Sequence, residues 1–185
     1  MPVPSRRASA SPESASPGRP RLSIAVAEPD PSWSKLAPDA PKVLRRAARR
    51  AFATAAKAGW RGSRVGHEVS FMLTSDRRMR TLNRTYRGKD KATNVLSFAA
   101  LDGARPKPGQ PWLLGDVVLA SGVIAREAKD QAKNLEDHLS HMAVHGMLHL
   151  LGYDHEKNRD AEIMEALEIA ALAGLGIANP YESRP

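Results

Sequence analysis

His145-Gly-Met-Leu-His-Leu-Leu-Gly-Tyr-Asp-His155 is the stretch on which the reading of this chain turns. His145 and His149 are four residues apart, so on a helix their imidazoles share one face, a turn apart. Gly152 allows the left-handed backbone of a helix C-cap, and the turn it makes swings His155 back toward the other two histidines. Three neutral imidazoles converging on one point form a facial metal site with one position left open. A single helical histidine is ordinarily a packed or surface residue, and two on one face are ambiguous. The third, placed just past a helix-ending glycine, is what makes the metal reading the better one.

The spacing H-x3-H-x2-G-x2-H is also that of the metzincin zinc proteases, whose general-base glutamate directly follows the first histidine. Here that position is Gly146, which has no side chain to take a proton. The ligand set is kept and the protease base is absent.

Together with His141, this stretch resembles the signature of the YbeY family of bacterial metal-dependent endoribonucleases. A second block, Tyr86-Arg-Gly-Lys-Asp-Lys-Ala-Thr-Asn-Val-Leu-Ser-Phe98, resembles that family's other signature, and Leu114-Gly-Asp-Val-Val118 falls where the family has its last strand. The likeness runs from about Leu22 to the end of the chain. Ala92 and Ala99 stand where the family often has proline, which bears on loop rigidity rather than on chemistry. The resemblance implies a roughly four-stranded sheet with the metal helix packed centrally in a zincin-like arrangement. It implies a single-strand-specific endoribonuclease in rRNA processing, at the 16S rRNA 3′ end, and in ribosome quality control. One Zn2+ is the expected cofactor. RNA, the small ribosomal subunit, ribosomal proteins and assembly GTPases are the partners it suggests. It also singles out Arg87 as the family's arginine.

Composition narrows the classes. At 185 residues the chain suits one domain over residues 21–185, preceded by a disordered extension over residues 1–20, because nine of its fourteen prolines fall within the first 41 residues. It has no cysteine, so disulfides and thiolate ligands are excluded. No apolar run is long enough to span a membrane and no apolar segment follows the Arg/Ser-rich start, so a soluble cytoplasmic protein is expected. The net charge of +8 is segregated: residues 42–91 hold fifteen Lys/Arg against three Asp/Glu, whereas residues 135–185 hold three against nine. A basic half of this kind can face polyphosphate, and Arg45, Arg46, Arg49 and Arg50 fall within it, although a solvated helix face explains part of the pattern.

Periodicity predicts an α+β order. A strand from Leu22 to Val26 ends at Pro29 and Pro31. A helix from Ala40 to Ala58 presents Leu44, Ala48, Phe52 and Ala55. A second strand holds Val69, Phe71 and Leu73. A short helix capped by Thr74 or Ser75 carries Met79, Leu82 and Tyr86 inward and ends at Gly88. Strands over Val95–Phe98 and Leu113–Leu119 flank a Gly/Pro-rich loop that reads as a hairpin or covering flap. Ser121 caps the next helix, running to about Lys133. The histidine helix spans Leu135–Leu151, and the last helix, Arg159–Ala173, points Ile163, Met164, Leu167 and Ala171 at the core.

Arg87 and His145 are the candidate catalytic residues, and His145, His149 and His155 the candidate metal ligands. A guanidinium can hold two phosphate oxygens, and three neutral ligands leave a divalent ion its full charge for an anionic substrate. The bland alternative for Arg87 is a salt bridge to Asp90. His141, on the same helix face, and Asp154, beside His155, are candidate supporting residues, with turn formation the competing role for Asp154. Arg84, Lys89 and Lys91 are candidate RNA contacts. Asp116 reads as structural, and His67 and His138 as ordinary surface residues. Two alternatives stand beside the nuclease: a zinc metalloprotease or amidohydrolase, and a non-catalytic ribosome-assembly factor.

Overall fold

The computed structural model describes residues 21–28, 30–63, 65–100 and 109–182, so the predicted extension and most of the predicted flap lie outside the described residues. Four strands, β1 (Leu22–Ala27), β2 (His67–Thr74), β3 (Val95–Ala99) and β4 (Trp112–Ala120), form a sheet of order β1-β2-β4-β3. β1, β2 and β4 are parallel, and β3 runs antiparallel to β4 along one edge. Among the described residues there are six helices: α1 (Ser32–Leu36), α2 (Ala40–Lys57), α3 (Asp76–Arg87), α4 (Ser121–Asp130), α5 (Leu135–Leu150) and α6 (Asn158–Ala173). The fold is α+β, as the sequence pattern implies, and its sheet is mixed with four strands, the number the family resemblance implies.

Alternation along the strands divides the core. Val69, Phe71, Leu73, Leu114, Val117 and Leu119 join Leu44, Phe52, Leu139, Met147, Leu148 and Leu172 in the large cluster beneath α2, α5 and α6. Leu96 and Val118 face the other way, against Met79 of α3 and the half-buried Leu82 and Phe98. Pairing of β2 with β4 skips Leu114, and Gly115 occupies left-handed space there (φ 132°). The Phe98 carbonyl fills the place a Cβ would take, so only glycine lets β3 lie this close.

Several elements depart from what periodicity predicts. Ser121 is the first residue of α4 rather than its cap, because the chain passes from strand to helix without a loop; the cap position is Ala120, and α4 stops at Asp130. The five-residue α1 has no periodic signal, yet its Trp33 is wholly buried and donates its indole N–H to the Thr74 carbonyl (3.1 Å). Ile163 is exposed, since the buried stripe of α6 runs Met164, Leu167, Glu168, Ala171, Leu172 and Ile163 falls just outside it. Tyr86 is 65% exposed: only Met79 and Asn83 of α3 are buried, and in the last turn Tyr86 meets the Phe98 ring edge-on (5.0 Å).

His67 and His138 are buried rather than on the surface. His67 lies among Phe52, Trp60 and Trp112, with ring centroids 5.1–6.4 Å away, and its Nε2 accepts the Ser63 N–H (2.9 Å). His138 bonds through Nε2 to Glu127 (2.9 Å), which also accepts from the Asn94 amide (3.0 and 3.2 Å). Asn94 in turn accepts the Val95 N–H (2.7 Å), so this network ties the start of β3 to α4 and α5. In both histidines burial outweighs hydrogen bonding and lowers the pKa.

Candidate metal centre

α5 is built to hold a row of imidazoles. Asn134 caps it, accepting from Glu136 N (2.8 Å) and Asp137 N (3.3 Å), and Glu136 and Asp137 place negative charge in its first turn. Leu139, Ala143, Val144, Met147 and Leu148 are buried, while His138, His141, His145 and His149 follow one another along a single stripe. Gly152 adopts φ 89°, and the turn that follows returns His155 to the first two. The ring centroids of the three are 4.6 Å (His145–His149), 5.4 Å (His145–His155) and 5.0 Å (His149–His155) apart.

One nitrogen from each of His145, His149 and His155 lies within 4.8 Å of the others, an arrangement that could hold a metal ion. The Nε2 atoms of His145 and His149 are 3.1 Å apart. Two nitrogens on a tetrahedral zinc, each at 2.0–2.1 Å, would stand roughly 3.3 Å from one another, so the pair fits with little adjustment. All three donors are imidazole, which suits a borderline cation such as zinc and is compatible with nickel or copper. Burial, and then repulsion from His145 and His155, lowers the His149 pKa to about 4, which keeps its lone pair available.

Glu168 was not anticipated from the sequence. It is buried on α6 at 1% exposure, and both its oxygens are hydrogen-bonded. Oε1 accepts from His145 Nδ1 (2.7 Å), while Oε2 receives His141 Nε2 (2.9 Å) and the Tyr181 hydroxyl. Burial alone would raise its pKa, but bonds from His141, His145 and Tyr181 reverse the shift and hold it at about 2. A carboxylate here fixes the His145 tautomer with the proton on Nδ1 and leaves Nε2 facing His149 and His155. A signal was available: Glu168 interrupts the apolar stripe of α6 at a position where a solvated acid has no place.

His141 therefore touches the Glu168 carboxylate and not the three-histidine cluster. Asp154 accepts its neighbour's N–H at His155 (2.7 Å), and its carboxylate stands 3.9 Å from His149 Nδ1, beyond hydrogen-bond reach. It is a turn residue close to the cluster.

Arg87 lines a cavity of about 220 Å³ together with Val95, Ser97, Ala99, His145, His149 and His155. It does not pair with Asp90. That carboxylate is taken by Arg80 (2.7 and 2.9 Å) and approached by Arg84 at 4.0 Å, which leaves the Arg87 guanidinium to the cavity. Gly88 caps α3 in the left-handed conformation, and the Asn83 amide holds the Lys91 carbonyl (2.7 Å), so the loop carrying the exposed Lys89 and Lys91 is braced. Asp116 is exposed on β4. Gly146 faces the sheet: a Cβ there would lie 2.6 Å from Val117 Cγ1 and 3.2 Å from Ser97 Oγ. The position that holds the base in metzincins has no room here for a side chain.

Fold and site together define an α+β protein with a candidate metal centre made by one helix and the turn that follows it. The chain belongs to the YbeY family: the sequence profile described as Endoribonuclease YbeY matches residues 36–176. It is 47% identical over 162 residues to the Endoribonuclease YbeY of Rhodospirillum rubrum, covering 85% of this chain and 80% of that one. Its counterpart in Paramagnetospirillum magneticum is 49% identical over 162 residues, covering 86% and 96%. The Bradyrhizobium diazoefficiens protein of the same name is 54% identical over 120 residues, covering 64% and 66%. A solution structure from Thermotoga maritima is similar at a TM-score of 0.45 and 19% identity, over 86% of this chain and 99% of that one.

Proposed function

We propose that residues 21–185 act as a zinc-dependent, single-strand-specific endoribonuclease of rRNA maturation, with a zincin-like centre on α5. The observation that carries this reading is the shared cavity, in which three imidazoles are joined by a guanidinium that has no ion-pair partner among the described residues. His145, His149 and His155 are the proposed ligands. When bound, a divalent ion would supply positive charge that polarises a phosphodiester and acidifies water beside it.

The chain's own residues do the rest. Arg87 binds non-bridging phosphate oxygens in two-point fashion and stabilises the charge that grows on them as the phosphorus becomes five-coordinate. Glu168 keeps the His145 proton on Nδ1, so His145 presents one fixed lone pair. Ser97 donates to the Gly146 carbonyl (3.3 Å), tying β3 to α5 and keeping the two walls of the cavity in register. Lys89 and Lys91, with Arg84 more weakly because it shares Asp90, are proposed to hold flanking phosphates.

The family shown above and the blocked position at Gly146 both favour RNA over a protein substrate. No helix among the described residues is long and apolar enough to cross a membrane. The cytoplasmic setting and the ribosomal partners belong to this same proposal. Zinc-loaded protein incubated with labelled single-stranded RNA and with casein tests the reading. Cleavage of RNA alone, abolished by His145→Ala, supports it. Cleavage of casein alone would replace it with the protease reading, and rRNA maturation sustained by His145→Ala would reduce the metal to a structural part.

A further inference from the structure

The outer face of α2 carries a second concentration of cations that the cleavage site does not use. Arg46, Arg49 and Arg50 line a groove of about 450 Å³ with Ala53, Gly174 and Leu175, between α2 and the end of α6. The groove shares no residue with the Arg87 cavity, and no carboxylate lines it. All three arginines are exposed, and among the described residues none has an ion-pair or hydrogen-bond partner. Arg45 is different: it is half-buried and donates to the Pro41 carbonyl (3.4 Å). Arg46 also borders a smaller cavity with Asp39 and Glu136, without reaching either at ion-pair distance.

Gly174 adds an independent observation. Its φ is −70°, which any residue adopts, so conformation does not call for glycine. The Arg50 guanidinium lies against it, with Cζ 2.9 Å and Nε 3.0 Å from where a Cβ would stand. A side chain at 174 would push Arg50 out of the groove. Nor does Arg50 serve as a cap for α6, since it donates no hydrogen bond to the carbonyls at that end.

Three guanidiniums spread over about 6 Å of helix repel one another unless an anion lies between them. An extended polyanion with regularly spaced, doubly acceptable oxygens matches planar donors better than a single ion does. We propose that this groove binds the phosphodiester backbone of RNA at a distance from the cleavage cavity, so that the strand is held at two places. The inference rests on the endoribonuclease reading for the identity of the polyanion. Contacts of this kind carry no sequence information and strengthen binding to long strands.

The test uses the full-length, zinc-loaded chain and a long oligouridylate with 2′-O-methyl sugars, so that binding is read without cleavage. Arg46→Ala/Arg49→Ala/Arg50→Ala should flatten the slope of log affinity against log salt by about two, at roughly 0.7 per lost contact. Affinity at low salt should fall by about tenfold or more, while turnover on saturating unmodified RNA stays unchanged. The corresponding Arg→Lys triple variant should keep the slope, and Gly174→Leu, which displaces only Arg50, should give an intermediate loss. An unchanged slope in the alanine variant would overturn the proposal, as would loss of polyglutamate binding with RNA binding intact. Failure of the wild-type protein to cleave unmodified RNA would overturn the endoribonuclease reading instead, leaving the binding slope to decide the groove.

Discussion

Glu168 Oε1 lies 2.7 Å from His145 Nδ1, and the same buried carboxylate holds His141 and Tyr181. One acid on α6 thus sets which nitrogen of the first proposed ligand faces the cavity.

Glu168→Gln should therefore weaken zinc binding by about 10–100-fold, the range typical of partners that orient metal-ligating histidines. An amide also forces one of its own donors against His141 or Tyr181. Competition with a chromophoric chelator measures the affinity. Unchanged affinity with lowered thermal stability would make Glu168 a packing residue only.

Arg87→Ala should lower turnover on single-stranded RNA by about 100-fold or more, the scale for loss of one electrophilic donor. Binding should change far less, because Lys89 and Lys91 remain. Single-turnover kinetics with separately measured affinity distinguish the two, and an affinity loss at constant turnover would demote Arg87 to a positioning contact.

Gly146→Ala should destabilise the fold by about 1–3 kcal/mol despite alanine's better helix propensity, because the added methyl meets Val117 and Ser97. Urea unfolding reads this directly. A stabilised variant would show that α5 can lift from the sheet without penalty.

The buried histidines predict a pH dependence of stability. His67 and His138 have lowered pKa values, so the fold favours their neutral forms. Above the unfolded value of about 6.5 neither state carries the proton, and the stability is fully present. As the pH falls below that value the unfolded chain takes up protons that the fold resists, and stability declines. His67→Gln, which keeps an acceptor for Ser63, should lose less between neutral and mildly acidic pH than the wild type. Denaturant titrations of metal-free protein across that interval check it, and parallel curves would exclude a contribution from His67.

Much of the site was legible because its logic is local. His145, His149, Gly152 and His155 lie within one turn-and-helix unit, and spacing alone brings them together. Glu168 and Tyr181 are remote in sequence from His145: the packing of α6 on α5 brings in Glu168, and the segment after α6 brings Tyr181 to it. The strands over Leu22–Ala27 and His67–Thr74 follow alternation, whereas periodicity does not reveal that the buried stripe of α3 stops short of Tyr86 or that the stripe of α6 leaves out Ile163. His67 and His138 read as surface residues since a lone histidine carries no periodic signal, and their partners Ser63 and Glu127 become visible only in three dimensions.

In the proposed function His145, His149 and His155 together hold the ion on which RNA cleavage depends. Elemental analysis of the wild type and of each His→Ala variant, paired with cleavage of one labelled single-stranded RNA, tests it most directly. The wild type should carry one zinc per chain and cut the RNA, and each variant should lose both stoichiometric metal and cleavage. A His155→Ala protein with full zinc occupancy and undiminished cleavage would contradict the account.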